Sequence, residues 1–380
     1  MHKTLLFLLI FAMQLGFAQK EQDIWSDNTG KTSLDSLVNI AIKPFFKENR
    51  KGLSIALYAK NVDFYYNYVN DSKSSLSNRK TIYEIGSVTK TFAGYLLAEA
   101  VVNKKVKLDD DIRNYLDEKY PNLEYNGSPI RLFHLLNHSS GLPFDFINKD
   151  SYMNLSEDER ILKLVSIENS YQQKDILRDL HLVQLDTVPG IKLRYSNVAA
   201  QILGIILEHI YKKPYEELVS EMITEPIKMQ NTFFSLPANK KGKLVRGHTV
   251  TGMVTPHFNG GLGSGLYSTT EDLLKYGKLH LNDSSEIVKL VHMPTWGQIQ
   301  YYAMGLNWQM EQKQDKPKRF WQSGSTPGYT SHLAVYPDLN VVIVLLANEH
   351  DENSEGDLSK IAEKIIAGIP KTKIFNFSFE

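Results

Sequence analysis

The 380-residue chain contains no cysteine. That one absence removes disulfides, thiol nucleophiles, thiolate metal sites and a lipid-modified cysteine together. Nor is there an excess of charge: 43 lysines and arginines balance 43 aspartates and glutamates. Neutralising phosphates needs a basic surplus, so nucleic acid is not an expected partner. Site signatures are missing as well. No H-E-x-x-H, P-loop, G-x-G-x-x-G or G-x-S-x-G pattern occurs. A zinc protease, a phosphate-loop enzyme, a dinucleotide-binding fold and an α/β-hydrolase are therefore disfavoured. His134 and His138 stand four residues apart but have no third ligand nearby, so both are read as structural. No metal or organic cofactor is expected.

Long apolar runs are also scarce. The one present, "TLLFLLIFAMQLGFA" at residues 4–18, is too short to span a bilayer comfortably. Lys3 precedes it, and Gly16 and Ala18 supply small residues around the end of the run. It reads as a secretory signal peptide cut after Ala18. The expectation is a periplasmic or secreted protein with no stable membrane anchor once the signal is removed. Without disulfides such a protein depends on its core, and 42% hydrophobic residues over this length are sufficient for one.

The order of elements suggests how the core is arranged. Residues 33–51 have helical periodicity. "GLSIALYAK" and "VDFYYNYV" read as a hairpin, and residues 106–254 are mostly helical in pattern. Strand-like segments return with "YAMGLNWQME", "RFWQSGS", "SHLAVYP" and "VVIVLLAN", and a last helix closes the chain. Ser268 and Glu271 show capping-box spacing before the helix that follows the glycine-rich "GGLGSG". The expected fold is α/β (α+β): an antiparallel sheet built from both chain ends and flanked by helices. Residues 19–105 and 255–380 would form it, with residues 106–254 as a mostly helical inserted domain.

Three short patterns carry possible chemistry. Ser87 and Lys90 in "YEIGSVTKTF" form an S-x-x-K pair. About two such pairs are expected by chance in a chain of this length, and Ser77 with Lys80 is a second copy. Context separates them. Gly86 permits a sharp turn before Ser87, and a strongly apolar helix follows it. Residues i and i+3 share a helix face, and a buried lysine there loses solvation and becomes a usable base. Tyr195 and Asn197 form a Y-x-N pattern between a Pro-Gly loop and a long apolar helix. A tyrosine there could share a proton with Lys90, and Asn197 could orient Lys90 or hold a substrate amide. The alternative is core filler and a helix cap. In "FWQSGSTPGY", Gly324 within a strand marks either close approach by a ligand or backbone, or a bulge. The N–H of Ser325 could then act with that of Ser87 as an oxyanion donor pair.

Taken together, "YEIGSVTKTFAG", "IRLFHLLNHSSGLP", "PGIKLRYSN", "EPIKMQNTFF", "GGLGSGLYSTTEDLLKY" and "TPGYTSHLAVYP…VVIVLLAN" resemble, in order, the segments of the serine β-lactamase-like family. That family includes class C β-lactamases, D-Ala-D-Ala carboxypeptidases and serine esterases. The resemblance covers residues 33–368. It implies an acyl-enzyme serine hydrolase with Ser87 as nucleophile, Lys90 as its base or proton relay and Tyr195 as the second acid/base. Asn197, Gln322, Ser323, Gly324 and Ser325 would contact the substrate, a small molecule or peptide. One position departs: Gln322 stands where the family usually has lysine or histidine. A neutral amide weakens carboxylate recognition, unless Arg319 or His332 compensates. The implied activity is amide or ester hydrolysis of the carboxypeptidase or esterase kind, on substrates that could contain D-amino acids. The alternatives are a class C-like β-lactamase and a non-catalytic penicillin-binding sensor.

Overall fold

The computed structural model describes residues 24–46, 50–70, 77–147 and 152–371. The expected signal peptide lies outside them. A nine-stranded antiparallel sheet draws on both ends of the chain, as expected. Its order runs Trp25–Ser26, Val62–Val69, Gly52–Ala59, Val341–Ala347, Tyr329–Tyr336, Arg319–Thr326, Gln309–Glu311, Tyr302–Met304 and Trp296–Gln298. The N-terminal hairpin joins the C-terminal strands directly, with Ile55 paired to Leu345.

The central strand Val341–Ala347 reads VVIVLLA and every residue in it is buried. A strand covered on both faces has no polar alternation. Ile343 and Leu345 pack beneath the helices Ser33–Phe46 and Ser354–Gly368. Val342, Val344 and Leu346 face the larger core on the opposite side. That core is completed by the helices between the two halves of the sheet, chiefly Thr89–Val102 and Asn197–Tyr211.

Thr89–Val102 is apolar on almost all sides, as a helix enclosed by protein must be. Its N-terminal turn is buried as deeply as its middle. Thr89, Lys90 and Thr91 are all buried, and Lys90 therefore cannot extend its amine to solvent.

Two local readings change. "YAMGLNWQME" is two short strands, Tyr302–Met304 and Gln309–Glu311, separated by a turn with Asn307 at φ 62°. The turn is held by two helices: Asn307 Nδ2 donates to Lys90 O at 2.8 Å in Thr89–Val102, and Asn307 N donates at 3.0 Å to the O of Leu136, which ends the helix Leu132–Leu136. The helix Thr270–Leu279 is capped one residue later than expected, by Thr269 Oγ1 accepting from Asp272 N. Ser268 is already committed to a strand pair with Tyr83.

Gly94 shows how tightly the helix is seated. A Cβ there would lie 2.1 Å from Leu306 O. Alanine would gain roughly 1 kcal/mol of helix propensity, but overpacking typically costs about 1–3 kcal/mol and a backbone atom cannot rotate away. Gly94→Ala should therefore lower the urea midpoint at unchanged slope. An unchanged or higher midpoint would show that the turn yields freely.

Candidate active site

Ser87 sits on a tight turn, Gly86–Val88, that feeds the helix Thr89–Val102. Gly86 has φ +49°, and a Cβ on it would lie 2.6 Å from Ser325 N. Across the contact, a Cβ on Gly324 would lie 2.5 Å from Ser87 N and 2.3 Å from Ile85 O. Only glycine at both places lets the turn and the strand Arg319–Thr326 meet. The backbone nitrogens of Ser87 and Ser325 are thereby brought to the same corner of the cleft. Ser331 Oγ, on the neighbouring strand, pins the turn by donating to Ile85 O at 2.7 Å.

Lys90 and Tyr195 converge on Ser87 Oγ. Lys90 Nζ lies 2.9 Å from it, and the Tyr195 hydroxyl donates to it at 2.6 Å. The amine also donates to Gly263 O at 3.0 Å and Ser264 Oγ at 3.1 Å. These two acceptors take the orienting role expected of Asn197. They come from the glycine-rich segment, which closes on the helices because a side chain would not fit: a Cβ on Gly263 would lie 2.9 Å from Ala200 Cβ. Asn197 lines the cleft with its Oδ1 unbonded among the described residues, and the capping role next to it belongs to Ser196, whose Oγ accepts from Ala199 N.

The tyrosine loop is laid against the segment that follows the helix Leu132–Leu136. Arg194 N donates to His138 O at 2.7 Å and Asn197 N to Phe144 O at 2.8 Å. His138, with φ 58°, leaves that helix and puts its ring 4.2 Å from the Tyr195 ring. Expected to be structural, it in fact lines the cleft. Burial, reinforced by the Lys90 charge, pushes its pKa down to about 3, so it is a neutral support for the phenol.

Burial likewise pushes Lys90 down to about 7, with the Glu355 carboxylate acting in the opposite sense. Tyr195 is 36% exposed and lines the cleft. Burial and Glu355 hold its hydroxyl above the ordinary tyrosine range despite the Ser87 hydrogen bond. The proton inventory follows. A neutral Lys90 donates its two protons to Gly263 O and Ser264 Oγ and aims its lone pair at the Ser87 hydroxyl. Tyr195, protonated near neutrality, enters the reaction as a proton donor.

A model of the Beta-lactamase family matches residues 31–367. The chain belongs to that family, a family of serine hydrolases. It is 25% identical over 299 residues to Protein flp of Staphylococcus aureus (strain MRSA252), covering 76% of this chain and 56% of that protein. The chain thus spans about half the length of that relative. It is 24% identical over 370 residues to a protein named Beta-lactamase from Pseudomonas fluorescens, covering 85% and 96% of the two chains. The crystal structure of Beta-lactamase/D-alanine Carboxypeptidase from Yersinia pestis has the same fold. Its TM-score is 0.71 at 21% identity, over 88% of this chain and 99% of that one.

Gln322 is the position where this member differs from the usual family pattern, and both ends of its amide are bonded within the protein. Gln309 Nε2 donates to Gln322 Oε1 at 2.9 Å, Ser323 N donates to the same oxygen at 3.2 Å, and Gln322 Nε2 donates to Asn307 O at 3.2 Å. Neither residue considered as a compensating cation takes that part. Arg319 pairs with Glu311 and Glu363 and stacks on Trp321, which belongs to the other face of the sheet. His332 bonds Ser323 Oγ at 2.9 Å, and burial beside Arg319 pushes it down to about 3.

A cleft of about 480 Å³ surrounds these groups, within the range of small-ligand sites. Its wall includes Phe258, whose N–H donates to Glu84 Oε1 at 3.1 Å. Burial raises the Glu84 carboxyl to about 7, the same range as Lys90. If Lys90 must be neutral to act, kcat/KM for an uncharged ester rises with pH through a limb near 7 and then levels. A Glu84→Gln variant separates the two groups: it should keep the limb, whereas loss of the limb would assign it to Glu84.

Proposed function

We propose that this chain is an exported serine hydrolase that cleaves an amide or ester of a peptide or small molecule through an acyl-enzyme on Ser87. The observation that carries the reading is the convergence of a buried, low-pKa amine at 2.9 Å and a phenol at 2.6 Å on one serine oxygen. In acylation, Ser87 Oγ attacks the carbonyl carbon and its proton passes to the Lys90 amine. The N–H groups of Ser87 and Ser325 receive the oxyanion. The C–N or C–O bond then breaks as Tyr195 protonates the leaving group, and Lys90 returns its proton to the phenolate. In deacylation the flow is reversed: Tyr195 passes its proton to Lys90 and takes one from the attacking water, and Lys90 returns its proton to Ser87 Oγ as the acyl C–O bond breaks. Covalent catalysis thereby divides one difficult displacement into two easier ones.

The finer reading is of the carboxypeptidase or esterase kind, on substrates that include D-amino-acid derivatives. Gln322 supports it over β-lactam hydrolysis, because its bonded neutral amide offers no charge to a β-lactam carboxylate. The second reading, a class C-like β-lactamase, is favoured by the likeness to the Pseudomonas fluorescens protein over 96% of its length. Export is supported by the sequence of residues 1–18.

Labelling with a fluorophosphonate tests the core of the reading. The wild-type protein should be acylated at Ser87. Ser87→Ala should not label, and Tyr195→Phe should turn over an ester about 10²–10⁴-fold more slowly. Equal labelling of wild type and Ser87→Ala would sink the hydrolase reading and leave a non-catalytic sensor. Turnover of nitrocefin well above that of short esters and anilides would favour the β-lactamase. Mass spectrometry of exported protein should find a mature N-terminus at Gln19, and an intact residue 1 would overturn export.

A further inference from the structure

The charge balance of the cleft points to the kind of substrate. Among the described residues lining it, Glu355 is the one with a formal charge. Lys90 lies behind Ser87, fully buried. The remaining wall is neutral: Phe144, Leu193, Phe258, Tyr302 and Met304 with serines and amides. The groups that could have made an anion site are committed elsewhere, Arg319 to Glu311 and Glu363 and Gln322 to Gln309 and Asn307. Glu355 itself pairs with no Lys, Arg or His within 4 Å among the described residues. It accepts a hydrogen bond from the side chain of Ser325 and opens onto the cleft.

An acidic residue in the first turn of a helix has an ordinary explanation, the helix dipole, and Glu355 stands there, in Ser354–Gly368. Two features go beyond it. The carboxylate is drawn into a cleft beside an oxyanion donor, where burial opposes its charge and Lys90, not within 4 Å, offsets that only in part, so a cation that joins it directly is favoured. The turn that carries it is also clamped. Arg50, 1% exposed, pairs with Asp351 at 2.5 Å, Glu349 at 3.3 Å and Asp357 at 3.4 Å, and donates to Ser354 Oγ at 3.0 Å. A carboxylate carried on a backbone turn fixed this firmly, and bonded to Ser325, is suited to selecting a ligand.

We propose that Glu355 selects substrates carrying a protonated amine near the scissile carbonyl, so that the site favours cationic acyl compounds over neutral or carboxylate-bearing ones. This rests on the acyl-enzyme reading above and names its substrate class. An ammonium supplied by the substrate completes the ion pair that the protein leaves open, and an anionic substituent meets like charge.

The test uses three alanine p-nitroanilides, in both enantiomers, with a free α-amine, an N-acetyl or an N-succinyl group. At pH 7 most of the free amine is protonated. The wild-type protein should prefer the free-amine anilide over the acetyl form by about tenfold or more in kcat/KM, mainly through KM. Glu355→Gln should bring the ratio close to one, and Glu355→Lys should reverse it in favour of the succinyl form. Because each ratio is taken within one protein, a general loss of stability does not alter it. A wild-type preference for the acetyl or succinyl anilide, or a ratio unmoved in Glu355→Gln, overturns the proposal. Fluorophosphonate labelling of wild-type Ser87 separates the two readings. Normal labelling with no amine preference removes only the charge selection, whereas absent labelling removes both.

Discussion

The burial of one amine is the constraint on which the site depends. Lys90 stands in the fully buried first turn of its helix, so its Nζ must satisfy its hydrogen bonds inside the protein. It does so with Ser87 of its own turn and with Gly263 and Ser264, more than 170 residues away. The backbone beneath is tied in as well, through Asn307 to the turn between two short strands. Desolvation is what makes the amine a base near neutral pH. The same dry surroundings that would disqualify an ordinary lysine give this one its chemistry.

Close approach of backbones is the second requirement, and glycine meets it. Gly86 and Gly324 face one another across the Gly86–Val88 turn, Gly263 packs on Ala200, and Gly94 on Leu306. Each contact brings a distant segment within hydrogen-bonding range of the Ser87 corner of the cleft. The result is a site fixed by packing on the scaffold, the condition under which electrostatic preorganisation is effective. Its electrostatics are unusual in one respect. The neutral amide of Gln322 is used internally, while the wall carries a carboxylate, so the cleft is organised to receive positive charge or none.

Much of this was legible in the residues. The uninterrupted apolar run Val341–Ala347, the N-terminal hairpin and the helical middle together implied a sheet made from both chain ends. Ser87, Lys90 and Tyr195 stood out by setting, since the rival pair Ser77 and Lys80 lacks a buried helix to follow it. Local patterns of this kind arise from burial and turn chemistry, which act over a few residues and leave a visible period. They were less reliable at boundaries. The cap expected at Ser268 moved to Thr269, and a single strand became two around Asn307, because long-range pairing and packing overrode local preference.

What the sequence by itself determined was the inventory: a covered sheet, a serine with an amine one turn on, a tyrosine loop, and no thiol, metal motif or net charge. Only the tertiary structure decided the partners. Nothing local marks Ser264 as a neighbour of Lys90, His138 as the support of Tyr195, or Glu355 as part of a cleft wall. Nor could spacing show that Arg319 points to the far face of the sheet and that Gln322 is occupied by Gln309. These are contacts between segments far apart in the chain, created by the crossing of elements and the side-chain direction each strand imposes. The kind of charge the site can accept depends on that geometry, and no short stretch of sequence contains it.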